Sequence, residues 1–155
     1  MSIRAAGQGL KVLFVQFLKP EDLSSGEKNL IRDRIPEIEL IRSNVRHPMF
    51  TIGEVSIEGC RKITLTTFEE LIKRIEKGNI DLLIMDELNN VLKEGWLDID
   101  HVIDFIKGRP PQLELVITGR NAPLAIIKMA DYVTEMLKIK HPAEEGIGAR
   151  KGIEY

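Results

Sequence analysis

Residues 79–90 read NIDLLIMDELNN, and this stretch decides how the rest of the chain is read. From Ile80 to Met85 the run is apolar except for Asp81, and it is too short for an ordinary helix. A short run that is apolar on both faces suits a central strand of a parallel sheet, covered by helices on either side. It stops at Asp86-Glu87, two adjacent carboxylates placed where the strand ends. Open α/β sheets bind ligands outside the carboxyl ends of their strands, so the pair faces a crevice. Two readings follow. The acids hold Mg²⁺ against phosphate oxygens, directly or through water, or they are solvated and cap the next helix.

On the N-terminal side, Thr66 or Thr67 with Glu69 or Glu70 three residues on makes a capping box. Phe68, Leu71, Ile72 and Ile75 then form one core-facing helical stripe, which Gly78 ends. Ser2–Ala6 reads as the end of a helix, terminated at Gly7 or Gly9, and Lys11–Leu18 as a buried strand. A chain that opens inside a helix end leads us to expect a segment ahead of it. Ser24-x-x-Glu27 caps a short helix through Arg32, and the alternation in Glu37–Ile41 predicts an edge strand. Residues 44–61 read as a loop, and Glu54–Leu65 as a hairpin.

On the C-terminal side, Leu88–Glu94 starts a short helix and Asp98 or Asp100 begins another, ended by Gly108 and Pro110-Pro111. Leu113–Thr118 (LELVIT) is a third buried strand, Pro123 opens a helix to about Ala130, and Asp131–Leu137 reads as a fourth strand. Residues 138–155 form a polar, glycine-rich tail. Strands alternating with helices predict an α/β fold: a three-layer sandwich with a mainly parallel sheet, in one domain spanning 1–155.

Composition sets the outer limits. Lys and Arg total 22 against 24 Asp and Glu, a net charge of −2, which provides no field for nucleic acid or an anionic membrane. No apolar run reaches membrane-spanning length and no secretory signal is present. One cysteine, Cys60, and 3 histidines rule out a disulfide framework and a cysteine- or histidine-rich metal cluster. The expectation is a soluble, cytoplasmic protein.

In a parallel sheet three strand ends share one edge: Gln16 to Lys19, Asp86-Glu87, and Thr118 to Asn121. They supply an amide and a cation, two acids, and an arginine before a helix. The planar fork of Arg120 suits a phosphate, so the set fits a polyphosphate–Mg²⁺ ligand. In the tail, Lys140, His141, Arg150 and Lys151 make either a basic flap over an anion or a solvated terminus. His47 and Phe50, in the loop region, line a pocket or lie on the surface.

The stretches RAAGQGLKVLFVQFLK, DLLIMDELNNVLKEG, RPPQLELVITGRNAP, ADYVTEM and IKHPAEEGIGARKGIEY resemble the P-loop-type ATP:corrinoid adenosyltransferases, in register over Arg4–Lys19 and Ile80–Tyr155. The resemblance implies a RecA-like P-loop NTPase fold, shortened at its N-terminus. It also implies transfer of the 5′-deoxyadenosyl group of ATP to the Co(I) of a corrinoid, in cobalamin biosynthesis or salvage, with release of triphosphate. Mg²⁺, ATP and the corrinoid are the implied ligands, and a homodimer the implied assembly. Asp86 and Glu87 would serve Mg²⁺, with Glu87 and Arg120 in catalytic roles. Arg4, Gln16, Lys19, Arg120, Asn121, Lys140 and His141 would contact ATP, and His47, Phe50 and Asn89 the corrinoid.

Two departures from the family pattern shape what is expected. No G-x-x-x-x-G-K-[ST] loop occurs in this chain, so the backbone cradle for triphosphate is missing from it and ATP is expected to bind weakly. The aromatic loop near the corrin is represented by NVRHPMFTIG, which keeps Phe50 and has no tryptophan; Trp96 lies elsewhere. The alternative function is therefore a non-catalytic corrinoid- or nucleotide-binding relative. In related P-loop proteins the strand leading into that loop lies inside the sheet. Its absence predicts a sheet that closes over the gap or pairs with a second copy.

Overall fold

The computed structural model describes residues 1–46 and 56–153. Its apolar segments become four strands: β1 (Val12–Gln16), β2 (Ile38–Arg42), β3 (Leu82–Asp86) and β4 (Glu114–Ile117). They form one sheet in the order β2-β1-β3-β4, and each pairing is parallel. Among the described residues six α-helices connect or flank them, α1 (Ser2–Ala6), α2 (Gly26–Arg34), α3 (Ile57–Glu76), α4 (Leu88–Lys93), α5 (Ile99–Gly108) and α6 (Leu124–Met129), and a short 3-10 helix follows at Pro142–Glu145.

Alternation along the strands divides the core into two layers. Leu13, Val15, Leu83 and Met85 face one side, where Phe68, Leu71 and Ile75 of α3, Val102 and Ile106 of α5 and Ile126 of α6 join them. Val12, Leu82 and Ile84 face the other, against Ala6 of α1 and Ile31 of α2. With both faces covered, β3 is apolar along its length until Asp86, as a central parallel strand requires. The three-layer α/β architecture is as expected, and it is consistent with a RecA-like P-loop fold.

Three elements differ from expectation. The strand at Leu113–Thr118, expected to be buried, is the edge strand β4, with Glu114 exposed and Leu115, Val116 and Ile117 half-buried. The hairpin assigned to Glu54–Leu65 is, from Ile57 on, the first half of α3, whose N-cap is Ser56 rather than Thr66 or Thr67. The Ser56 hydroxyl accepts from the Gly59 amide at 3.1 Å. Cys60, Thr64, Thr67, Phe68, Leu71 and Ile75 are the buried positions, a helical period that β-branched Ile63, Thr64 and Thr66 disguise. The strand assigned to Asp131–Leu137 does not form. A strand exists through its ladder, and here Tyr132 and Met136 are 94% and 93% exposed with no described strand beside them.

The strands also close up side by side. β1 bonds to β2 and β3, and β3 to β4, so no gap opens among the described strands, and the open edges belong to β2 and β4. Leu83, fully buried at the centre of β3, is the sharpest probe of this core. Leu83→Ala is expected to cost about 2–5 kcal/mol by lost burial and the cavity left behind. Urea denaturation checks it, and a loss under about 1 kcal/mol would mean that the two layers repack freely around the sheet.

Candidate functional site

Parallel register brings the carboxyl ends of the strands level. Gln16 lies beside Asp86 on one side and Arg42 on the other. Met85 pairs with Ile117, which puts Thr118 next to Asp86. The chain turns sharply after three of these ends, and a non-glycine residue takes left-handed backbone at each: Leu18 (φ 61), Glu87 (φ 63) and Asn121 (φ 58). That conformation costs roughly 1–2 kcal/mol for an ordinary L-residue, so its recurrence along one sheet edge marks where the structure holds strain. Two of the turns are held by hydroxyls. Leu18 N–H donates to Ser43 Oγ at 3.0 Å, and Glu87 N–H donates to Thr118 Oγ1 at 3.1 Å.

The acid pair sits where β3 passes into α4. Asp86 is half-buried and accepts a 2.7 Å hydrogen bond at Oδ1 from the Thr118 hydroxyl. Glu87 is the N-cap of α4. The loop after β4 is locked against the same helix. Asn89 N–H donates to the Thr118 carbonyl, and Asn90 Oδ1 accepts the Arg120 amide at 2.6 Å. Gly119 adopts φ +121, and a Cβ there would lie 2.8 Å from Asn90 Oδ1 and 3.0 Å from Asn89 Cβ. Only glycine allows the approach. The result fixes the backbone of Arg120 against the acids while its side chain stays exposed. Asn89 is buried, and its Oδ1 has no hydrogen-bond partner among the described residues.

Beyond β1 and β2 a second polar cluster surrounds Arg42, whose side chain is fully buried. Its guanidinium donates to Gln16 Oε1 (2.8 Å), the Leu23 carbonyl (2.7 Å) and Ser25 Oγ (2.5 Å). It lies 3.6 Å from Glu27 Oε1. A buried charge survives only when so compensated. Burial lowers the Arg42 pKa and Glu27 and Glu21 oppose it. Glu27 itself receives Lys19 Nζ at 3.2 Å. Burial works against its ionisation, but its own amide, Lys19 and Ser25 outweigh that and hold its pKa at about 2.

The structure therefore brings Gln16, Lys19, Asp86, Glu87, Asn89, Arg120 and Asn121 to one edge of the sheet. Gln16 is 1% exposed, with both ends of its amide engaged by Arg42 and Glu27. Arg4 is exposed on α1, whose Ala6 packs in the core layer of Ile31. Lys140 pairs with Glu145, and His141 Nδ1 accepts from the Ala143 amide, contacts local to the tail. His47 and Phe50 lie outside the described residues. Sequence reasoning missed Arg42, Asn90 and the Thr118 hydroxyl. Thr118 and Asn90 had a signal, the threonine that opens TGR and the second asparagine after DEL, at matching strand ends. Arg42 had none, because a charged residue ending an alternating strand reads as solvent-facing.

The family model described as ATP:corrinoid adenosyltransferase BtuR/CobO/CobP matches residues 1–155. A Pseudomonas aeruginosa protein named corrinoid adenosyltransferase is 36% identical over 155 residues, covering 100% of this chain and 74% of that relative. A Sinorhizobium protein of the same name is 30% identical over 162 residues, covering 100% and 72%. One from Escherichia coli K12 is 28% identical over 152 residues, covering 98% and 74%.

The low pKa of Glu27 makes a stability prediction. Its carboxyl falls from 4.5 to about 2 on folding, so its contribution is complete above about pH 4.5 and fades as pH drops towards 2. Glu27→Gln should therefore lower the melting temperature at pH 7 and less so at pH 3. Thermal denaturation of both proteins across that range checks it. A difference that stays constant with pH would assign the effect to packing instead of charge.

Proposed function

The chain belongs to the ATP:corrinoid adenosyltransferases, a family of transferases, and on that premise we propose that it moves the 5′-deoxyadenosyl group of ATP to the cobalt of a reduced corrinoid. The Co(I) lone pair forms the bond to C5′, the C5′–O bond breaks, and its electron pair leaves with triphosphate. The observation that carries this reading is the interlock of Asp86, Glu87, Thr118 and Arg120 at one strand-end crevice. It sets two acids suited to a cation near the backbone of Arg120, whose guanidinium would meet phosphate, where an open α/β sheet binds ligand.

The residues fit Mg²⁺. Their donors are hard carboxylate oxygens, and no group of three or more His, Cys, Asp or Glu able to hold a metal exists among the described residues. Mg²⁺ commonly takes one or two carboxylates and completes its shell with water and phosphate, so Asp86 and Glu87 would hold it. Bound there, it would offset the negative charge of the triphosphate. Arg120, Asn121 and Lys19 orient the phosphate chain. The backbone of Arg120 is fixed by Asn90 while its side chain is exposed, so the guanidinium is free to swing onto the phosphate chain as the leaving group gains charge. Arg4, Lys140 and His141 extend the nucleotide surface, and Asn89, under the 118–119 turn, supports the corrinoid side. The reading places the reaction in the cytoplasm, where ATP is abundant, and no described helix is long and apolar enough to cross a membrane.

We also propose a homodimer. The outer edge of β4 carries no described partner strand, and an uncovered edge is a template for pairing. Light scattering over a micromolar concentration series should give a mass near twice 17.6 kDa. A monomer throughout, still cooperatively folded, would reject the dimer.

The chemistry is tested by Glu87→Gln. Corrin adenosylation, followed by absorbance, should fall by about 10²–10³-fold, the loss typical when one group serving developing charge is removed. The melting temperature should stay close to that of the unaltered chain, since a strand-end acid supports no core. A variant that melts much earlier would make Glu87 structural. A native chain that binds MgATP without transferring the group would be the binding relative.

A further inference from the structure

We infer that Thr118 is a positioning residue for the acid pair: its hydroxyl fixes the Asp86 carboxylate and the Glu87 backbone together, and so prepares the cation site. The inference rests on the reading of Asp86 and Glu87 as that site. The hydroxyl makes two hydrogen bonds of opposite sense. It accepts the Glu87 amide at 3.1 Å and donates to Asp86 Oδ1 at 2.7 Å. Because one lone pair is aligned with Glu87 N–H, its single proton is directed at Asp86. The carboxylate is thus held by one oxygen in a defined rotamer.

These bonds are additional to the ones that build the fold. Main-chain bonds already tie β4 to β3 and α4: Thr118 N–H to the Met85 carbonyl, and Asn89 N–H to the Thr118 carbonyl. The backbone is therefore placed with or without the hydroxyl, whose own two bonds fall on the two acids. Glu87 sits in left-handed backbone at φ 63, where a non-glycine residue needs an external hold, and Thr118 Oγ1 provides one for its amide. Partners that orient a metal's carboxylates typically matter by about 10–100-fold in metal affinity. Valine keeps the shape of threonine and deletes the hydroxyl. Serine keeps the hydroxyl.

The test uses Mn²⁺ in place of Mg²⁺, with ATP present, followed by electron paramagnetic resonance on the full chain. Thr118→Val should weaken Mn²⁺ binding by about 10–100-fold, and Thr118→Ser should restore it to within a few-fold. Thermal denaturation without metal should show both variants folded; if the valine variant is not, Thr118→Ala takes its place. In turnover, the loss should appear in the metal concentration needed for half-maximal rate more than in the rate at saturating metal. Full-strength Mn²⁺ binding by Thr118→Val or Thr118→Ala, with Asp86→Asn defective, would overturn the positioning role and leave the site intact. No Mn²⁺ uptake by the native chain, or uptake by Asp86→Asn equal to native, would overturn the site itself.

Discussion

The parallel register of β3 with its two neighbours is the constraint on which everything else depends. A parallel ladder sets strand ends level only if each strand enters from the same side, and helices on both faces make that possible. Here it sets Gln16 beside Asp86 and carries Thr118 to the position next to it. Gln16, Asp86 and Thr118, which follow one another 70 and 32 positions apart in the chain, thereby meet at one edge. No local propensity could bring them there. A slip of one residue would turn Leu83 and Met85 into the opposite layer, where Leu82 and Ile84 now pack. The register of the site is therefore guarded by the whole core.

At that edge the sheet passes into turns that hydroxyl side chains fasten. Ser43 holds Leu18 and Thr118 holds Glu87, and both held residues are left-handed without being glycine. Each fastening comes from a neighbouring strand end, so the strain of one turn is carried by another part of the sheet. Gly119 shows the same economy of space: its missing Cβ lets the β4 loop approach within contact of Asn89 and Asn90. Rigid turns of this kind suit a site that must present charge without rearranging.

The buried guanidinium of Arg42 organises the other half of the edge. It draws Gln16, the Leu23 carbonyl and Ser25 together, which anchors the loop between β1 and α2. Through Glu27 that anchoring extends to Lys19, the cation of this loop proposed to meet phosphate. Pairing keeps Glu27 ionised far below the usual carboxylate range. Glu27 consequently keeps its charge at a pH where an ordinary carboxyl is protonated.

The sequence by itself determined the layers, the strands β1 to β4, the acid-tipped end of β3 and the family. Apolar runs, capping residues and glycine stops are local signals, and LLIMDEL and LVITGR carry theirs within a few residues. The same local reading failed at Ile57–Leu65, where β-branched residues imitate a strand while a 20-residue helix buries Cys60 and Thr64. It failed again at 131–137, because extended apolar residues become a strand only with a partner to complete the ladder. Tertiary structure alone decided that Arg42 is buried, that Asn90 caps the Arg120 amide, and that one threonine proton is aimed at Asp86. Those are contacts between distant positions, and their geometry exists only once parallel pairing has placed the strand ends side by side.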